Sequence, residues 1–333
     1  MNREEAKRKI RKEQRKRAAK QKRKRLLLWL FIGVILTAAA LAALWSRGMI
    51  TLPLIGEGGR EEMISSSAPA DGVRARIDVL DVGQGSGMLI VSGGEAMLVD
   101  GGGSAYSSRT VAYLKALGVT HLKYIVATHY DADHLYGAVG ALEAFGADTV
   151  LVPDYEEESY VYQVFRQHLA NRKTPVIHPA PGDSFDLGYC RFTVLAPCGS
   201  DYEKENDRSI ALRFTDGVHS LLATGDAEAQ SEAEMLANDK GERRLRSDVY
   251  IVGHHGSASS STAAFLKAVK PSFAVISCGA GNDYGHPKAA VLNRLKNMRT
   301  GLYRTDKQGD IVFYFTDGGI LFEKEPCNDY TPG

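Results

Sequence analysis

The stretch Ala127-Thr128-His129-Tyr130-Asp131-Ala132-Asp133-His134 decides how the rest of this chain is interpreted. Three apolar residues, 125–127, lead into it like a short buried strand, and the residues from 135 onward have the pattern of a helix. Two imidazoles and two carboxylates therefore fall in one strand-to-helix turn. Groups this close repel or desolvate one another unless a divalent cation stabilises them together. The stretch predicts a metal site; the alternative is a solvated polar loop.

Composition places the chain among folded proteins with a substantial core. Of its 333 residues, 44% are hydrophobic, which excludes a disordered chain. The formal net charge of +1 hides an asymmetry, because residues 1–25 carry fourteen Lys or Arg against three Glu. The remainder holds 27 basic and 37 acidic residues, so the body is acidic at −10. Four cysteines without Cys-x-x-Cys spacing predict buried thiols, with a disulfide as the alternative.

The N-terminal part has the pattern of a membrane anchor followed by a tether. Residues 1–25 predict a basic cytoplasmic tail that can touch anionic lipid. Residues 26–45 predict a transmembrane helix, because 26–44 contain no charge and are long enough to cross a bilayer core of about 30 Å. A cleaved signal peptide is the alternative. Residues 46–73 predict a flexible linker, and the positive-inside rule predicts a single-pass protein of the cell membrane with an extracytoplasmic body.

Residues 74–325 predict one α/β domain of short strands and helices. The predicted strands lie at 77–82, 88–91, 96–99, 124–127, 191–195, 210–214, 220–224, 248–252 and 273–277. The predicted helices lie at 107–117, 135–145, 156–171, 228–237, 261–269 and 287–298. Two similar halves favour two face-to-face sheets with helices outside, although periodicity also allows an ordinary α/β sheet.

Polar residues recur where predicted strands end. The glycine-rich stretches 81–87 and 98–103 either approach a ligand or form tight turns. Thr224-Gly225-Asp226 delivers a carboxylate at a strand end, a suitable place for an acid that bridges two metals. Gly253-His254-His255-Gly256-Ser257 does the same with imidazoles, and Tyr284-Gly285-His286-Pro287 adds a further histidine before a helix. A capping or surface role is the alternative for His286.

These motifs, in this order, resemble the metallo-β-lactamase superfamily. The series is Asp-Val-Gly-Gln-Gly, Val-Asp-Gly-Gly, Thr-His-x-Asp-x-Asp-His, Asn-Asp-x-Ser, Thr-Gly-Asp, His-His-Gly-Ser and Tyr-Gly-His-Pro. Within the superfamily, the chain is most similar to the C-terminal extracytoplasmic domain of ComEC-type DNA-uptake proteins and their stand-alone relatives. The resemblance covers about residues 75–323 and implies an αββα sandwich with a two-metal site along one edge.

The resemblance also implies a role for each motif residue. The implied metal ligands are His129 and Asp131 for the first ion, Asp133 and His134 for the second, Asp226 as a bridge, and His254 to complete the second site, with His255 as the alternative. Asp133 or Asp226 would orient the attacking water, and His286 or Ser257 would contact the phosphate or protonate the leaving group. The residues expected to contact substrate are Gln84, Asn206, Ser209 and His255.

Two departures from the superfamily pattern bear on the metal. Asp131 stands where the superfamily has a second His, and Asn206-Asp207-Arg208-Ser209 occupies the region of the third His. The first site is therefore expected to be rich in oxygen, which favours manganese, while His134 and His254 keep zinc possible in the second. We expect two divalent ions, manganese or zinc.

These observations predict a membrane-anchored, extracytoplasmic metal-dependent hydrolase. The expected activity is that of a phosphodiesterase or nuclease on DNA or nucleotides. The acidic body weakens the expectation of DNA, because phosphate backbones bind basic grooves. The alternatives are a cell-wall or small-molecule ester, more remotely a lactone or amide, and a non-catalytic metal-containing module that binds DNA.

Overall fold

The computed structural model describes residues 72–241 and 244–333. The predicted basic tail and transmembrane helix lie outside these residues, as does nearly all of the predicted linker. Within the described ranges, no helix has the length and apolar composition needed to cross a membrane. The four cysteines, all described, are unpaired thiols.

The strands of the described residues form two sheets. In spatial order the first sheet contains β15 (Gly319–Phe322), β14 (Ile311–Thr316), β1 (Val73–Val79), β2 (Gly87–Ser92), β3 (Glu95–Asp100), β4 (Leu122–Val126), β5 (Ala147–Leu151) and β6 (Val176–Ile177). The second contains β13 (Gly301–Arg304), β12 (Phe273–Ile276), β11 (Val249–Ile251), β10 (Ser220–Ala223), β9 (Ala211–Thr215), β8 (Cys190–Ala196) and β7 (Ser184–Leu187). Each sheet joins an antiparallel half to a parallel half, which runs β3–β4–β5–β6 in the first and β10–β11–β12–β13 in the second.

Helices connect the strands and cover the sheets. They are α1 (Ser107–Ala116), α2 (Ala132–Phe145), α3 (Tyr160–Arg172), α4 (Ala229–Asp239), α5 (Ala263–Val269), α6 (Ala289–Asn297) and the short α7 (Thr305–Gln308). A single helical turn occurs at Glu205–Arg208, and Gly253–Gly256 forms a turn with left-handed residues at its centre. The predicted helix at 135–145 begins three residues earlier, at Ala132, so the metal-motif residues Asp133 and His134 lie in its first turn.

Three apolar layers hold the two sheets and their helices together. Met88 and Ile90 of β2 join the cluster between the sheets, whereas Leu89 joins the cluster under α1, α2 and α3. This alternation follows from the two-residue period of a strand, which sends successive side chains to opposite faces. A third cluster lies between the second sheet and α4, α5 and α6, with Phe265 and Leu292 among its members. The expected αββα sandwich is confirmed, and the alternative of an ordinary single sheet is wrong.

The parallel halves place the chemistry-bearing residues at one edge. Asp100 is the last residue of β3, and the His129 motif follows β4. Asp226 follows β10, the double histidine follows β11, and Ser277 follows β12. Carboxyl ends of parallel strands leave a crevice in which α/β proteins commonly bind ligands.

Candidate metal centre

The glycine-rich stretches allow the metal-motif turn to pack closely. A Cβ on Gly85 would lie 2.2 Å from the carbonyl oxygen of Asp133, and one on Gly137 would lie 1.7 Å from that of Gly101. Ser86 N–H donates to the Asp133 carbonyl, and Gly101 N–H donates to that of His134. The stretches were expected either to approach a ligand or to form tight turns. The structure shows tight turns, whose N–H groups bond to the first turn of α2.

Asp131 occupies the N-cap position of α2 without capping it. Asp at this position commonly accepts a hydrogen bond from a backbone N–H of the first turn. Here the side chain makes no such bond, and its Oδ2 lies 3.5 Å from His129 Nε2. The carboxylate is therefore held beside the imidazole of His129.

Asp226 lies at the centre of a group of histidines. Its Oδ1 is 3.2 Å from His134 Nε2, and its Oδ2 is 3.5 Å from His255 Nε2 and 3.6 Å from His254 Nε2. Asp133 Oδ2 is 3.5 Å from His255 Nε2. Ligand atoms meet in two overlapping groups, one of His129, His134 and Asp226, the other of Asp133, His134 and His255.

The outer ring nitrogens of three histidines are each bonded to an oxygen. His134 Nδ1 lies 2.8 Å from Asp100 Oδ2, and His255 Nδ1 lies 3.0 Å from the carbonyl oxygen of Ser277. His129 Nδ1 lies 3.1 Å from the Oγ1 of Thr128, which donates its own hydrogen to Asp100. A carboxylate or carbonyl can only accept, so Nδ1 carries a proton; with a cation in place of the second proton, Nε2 would present its lone pair, as metal-binding histidines require.

The residues fit a divalent cation in two further respects. His129 Nε2 is buried and has no hydrogen-bond partner, which is costly unless something else binds it. The Nε2 atoms of His134 and His255 are 3.2 Å apart. Two nitrogens bound at about 2.0–2.1 Å to one tetrahedral cation would be about 3.3 Å apart.

The electrostatics of the centre favour bound positive charge. Burial opposes ionisation of Asp226, but His255 and His134 outweigh it and hold the pKa of Asp226 well below its usual value. Burial likewise opposes a charged His134, but Asp226 and Asp100 hold its pKa well above the usual value. The pKa of His255 is raised to about 9 against burial, chiefly by Asp226, and that of Asp133 is lowered to about 2 against burial by its contact with His255. A divalent cation can therefore replace protons here.

The double-histidine turn separates two residues that the sequence could not tell apart. His254 and His255 have φ of 50° and 53°, in the left-handed region that non-glycine residues rarely adopt. His255 meets Asp133 and His134, whereas His254 meets Asp226 on its Nε2 side and Glu228 on its Nδ1 side. The geometry thus favours His255 over His254 as the residue that joins Asp133 and His134. His255 was the alternative that the sequence left open.

The segment expected to supply oxygen ligands bonds to Asp226 and to the start of α4. Ser209 is fully buried, and its Oγ accepts the N–H of Asp226. Asp207 accepts the N–H groups of Glu228 and Ser231 at the start of α4, and Asn206 Nδ2 donates to Glu228. Ser209 thus supports the backbone of Asp226, and the expectation that it contacts substrate stays a prediction. Asn206 is partly buried and bonds to Glu228, the acid that faces His254 Nδ1.

The other expected site residues lie around the centre. Ser257 Oγ pairs with Ser259 Oγ, which lies 3.3 Å from His254 Nδ1, so Ser257 stands on the side of that ring away from Asp226. Gln84 accepts the N–H of Gly279 and joins two loops. The His286 ring is 5.7 Å from that of His254, and burial together with His255 and His254 lowers its pKa to about 4.

Sequence reasoning missed the residues that hold the ligands in place. Asp100 orients His134 and accepts both the N–H and the hydroxyl of Thr128. Ser277 accepts from His255 and donates to the Gly85 carbonyl, which ties the histidine to the turn at α2. The signal for Asp100 was its place at a strand end before three glycines; Ser277 carried no comparable signal.

Asp100→Asn is expected to weaken metal binding about ten- to a hundredfold without unfolding the domain, because the amide cannot replace the carboxylate that orients His134. Chelator competition gives the metal affinity, and thermal unfolding of the metal-free protein gives the stability. Asp78→Asn is the matched control: Asp78 is also fully buried in the first sheet but bonds Arg76. Equal metal affinity in the Asp100 variant and the wild type would contradict the orienting role.

Comparison with known proteins shows the family of the chain. A family model of the metallo-β-lactamase superfamily matches residues 80–280. The chain belongs to this superfamily. Its members are generally metal-dependent hydrolases.

Relatives of this superfamily domain include competence proteins. The chain is 33% identical to competence protein ComA of Neisseria gonorrhoeae over 75% of its own length and 34% of that protein. It is 31% identical to recombination protein 2 of Haemophilus influenzae over 73% of this chain and 29% of that one, and 27% identical to ComE operon protein 3 of Bacillus subtilis over 76% and 34%. The chain thus spans about a third of the length of these relatives. The predicted resemblance to the ComEC-type domain is confirmed.

A solved structure with similarity to the chain is the metallo-β-lactamase fold protein YhfI from Bacillus subtilis. It is 18% identical, with a TM-score of 0.47, over 69% of this chain and 95% of that one.

Proposed function

We propose that residues 74–325 form a metal-dependent phosphodiesterase domain that acts on DNA or nucleotides. The observation that carries the proposal is the convergence of carboxylate oxygens and imidazole Nε2 atoms around Asp226, with the outer nitrogens of His129, His134 and His255 bonded to oxygen. Such an arrangement suits two cations close together, and paired cations serve phosphoester cleavage in many hydrolases. The competence-related names of the relatives support a nucleic-acid substrate.

Each ion would be held by a different set of residues. His129, Asp131 and Asp226 would hold the first, and Asp133, His134 and His255 would hold the second, with Asp226 between them. When bound, such ions activate a water and neutralise charge on phosphoryl oxygens. The chain's own part is to present these ligands from three strand ends, to hold them with Asp100 and Ser277 from two more, and to exclude bulk water from a largely buried centre.

A substrate panel tests the proposed activity. The full-length chain in detergent is assayed with bis-p-nitrophenyl phosphate, single-stranded and double-stranded DNA, and a cell-wall phosphodiester, each with manganese, magnesium or zinc. We expect hydrolysis of the aryl ester and of nucleic acid. Binding of DNA without turnover under every metal would identify a binding module, and turnover of the wall ester alone would identify the other substrate class.

Manganese is expected to support the highest activity. Zinc is expected to bind more tightly, but the zinc-loaded protein should turn over substrate more slowly. The proposed first ion would be held by His129 together with the carboxylates of Asp131 and Asp226, and sites rich in oxygen suit manganese. Asp131→His should shift the preference toward zinc, because it adds a nitrogen ligand. The measurement is activity of metal-stripped protein titrated with each ion, beside elemental analysis. Full activity with zinc and none with manganese would remove Asp131 from the ligand set.

We further propose that residues 26–45 anchor the domain on the outer side of the cell membrane. The support is the charge step between residues 25 and 26. A reporter cysteine at Ser66 should react with a membrane-impermeant thiol reagent in intact cells, with the unaltered chain as control. Reaction only after lysis would overturn this orientation.

A further inference from the structure

A rigid loop, residues 282–288, lies beside the metal centre. Asn282 Nδ2 donates to the carbonyls of Gly279 and His286, and its Oδ1 accepts the N–H of His286. Lys288 N–H donates to the carbonyl of Gly256, which ties this loop to the double-histidine turn. The loop is therefore fixed relative to the metal ligands before any substrate binds.

His286 is an unsatisfied group in this loop. It is 6% exposed, and its Nδ1 is buried without a hydrogen-bond partner. Its ring lies 5.7 Å from that of His254 and 6.5 Å from that of His255, measured between centroids. A buried polar nitrogen without a partner costs stability, and the hydrogen bonds of Asn282 to the backbone of His286 hold the residue in place against that cost.

Tyr284 is an exposed aromatic ring stacked on His286. The two centroids are 5.6 Å apart and the planes differ by 22°. Tyr284 is 63% exposed, although a large aromatic side chain usually buries most of its surface. Its backbone is held by the loop, so the ring is presented to solvent by a rigid support.

We infer that Tyr284 is a stacking platform for an unpaired nucleobase whose phosphodiester lies at the metal centre, with the His286 ring stacked against the tyrosine as its support. This inference deepens the proposed function and rests on it. Every base has a flat face, so stacking on a tyrosine holds a single strand without reading its sequence. A platform of this kind selects unpaired bases over a duplex, where the bases already stack on one another.

Two observations favour a base over other partners of the ring. The His286 ring lies 5.6 Å from the Tyr284 ring and 5.7 Å from the His254 ring, so an occupant of Tyr284 is close enough to be part of the molecule that reaches the metal centre. The chain outside residues 1–25 carries a charge of −10, which disfavours holding a long nucleic acid through its phosphates. Stacking supplies affinity that does not depend on a basic groove.

The test measures binding separately from turnover. A fluorescent single-stranded thymidine oligomer with nonhydrolysable phosphorothioate linkages is titrated with the full-length chain in detergent, and anisotropy gives Kd. Tyr284→Leu should raise Kd about tenfold, since one stacked base contributes on that scale, whereas Tyr284→Trp should restore tight binding. An abasic oligomer of equal length should bind the wild type as weakly as the thymidine oligomer binds Tyr284→Leu. The matched control is Tyr160→Leu, because Tyr160 is also exposed, at 76%, but lies on α3.

Each outcome decides the inference. Equal Kd for wild type and Tyr284→Leu, equal affinity for the abasic and thymidine oligomers, or no binding to the wild type would overturn the platform. An equal loss in Tyr284→Trp would assign the tyrosine to the loop's structure and also overturn it. Failure of the proposed function is a separate result: the wild type would bind the oligomer through Tyr284 yet hydrolyse no phosphodiester.

Discussion

Asp226→Ala is expected to abolish phosphodiester hydrolysis, with a loss of more than about a hundredfold, because it removes an acid that both proposed ions would share. The carboxylate of Asp226 lies 3.2 to 3.6 Å from the Nε2 atoms of His134, His255 and His254. Its removal also leaves these imidazoles without the negative charge that draws a cation to them. Activity and metal content, measured on the same preparation, report both effects.

A matched carboxylate separates this effect from a general loss of charge. Asp148→Ala removes an exposed acid that pairs with His121 on the first sheet, so it should retain activity and metal. The fold of the Asp226 variant should persist, because the residue bonds ligands and not the apolar layers. Near wild-type turnover in Asp226→Ala with unchanged metal content would remove Asp226 from the site.

His255→Ala should cost more activity and more metal than His254→Ala. His255 Nε2 lies within 3.5 Å of Asp133, Asp226 and His134, and its Nδ1 is fixed by the Ser277 carbonyl. His254 contacts one of these acids, Asp226, and its Nδ1 faces Glu228. We expect a loss above about a hundredfold for His255→Ala and a milder one for His254→Ala.

Conservative variants sharpen that comparison. His255→Gln keeps a polar side chain of similar length but has no imidazole, so it should lose metal as His255→Ala does. Glu228→Gln should resemble His254→Ala, since it changes the group beside His254 Nδ1. A greater loss of metal in His254→Ala than in His255→Ala would restore the order that the superfamily resemblance implied.

The parts of the candidate site that sequence reasoning can indicate are those whose chemistry is local. Residues 129–134 carry four ligand types within one turn, so their density alone identified the turn, and the apolar run before them placed it after a strand. Asp226 was found for the same reason, as an acid at the end of an apolar strand. The two-sheet sandwich followed from the order of strands and helices, although periodicity left a single sheet open.

The rest depends on contacts between residues far apart in the chain. Asp100 meets His134, and Ser277 meets both His255 and the Gly85 carbonyl, only after the strand ends are brought to one edge. Ser209 carries a hydroxyl of the kind that contacts substrates, but this hydroxyl accepts the backbone N–H of Asp226. Which of two adjacent histidines faces Asp133 depends on backbone torsions in the left-handed region, and residue types alone do not determine these.

Metal-dependent phosphodiester hydrolysis by the full-length chain is the most direct test of the central claim. The protein is stripped with chelator, assayed with bis-p-nitrophenyl phosphate, reloaded with manganese and assayed again, with elemental analysis at each stage. We predict no turnover after stripping, recovery with about two ions per chain, and no recovery in Asp226→Ala. Turnover that survives complete removal of metal, or a fully loaded wild type that hydrolyses no phosphodiester, would contradict the account.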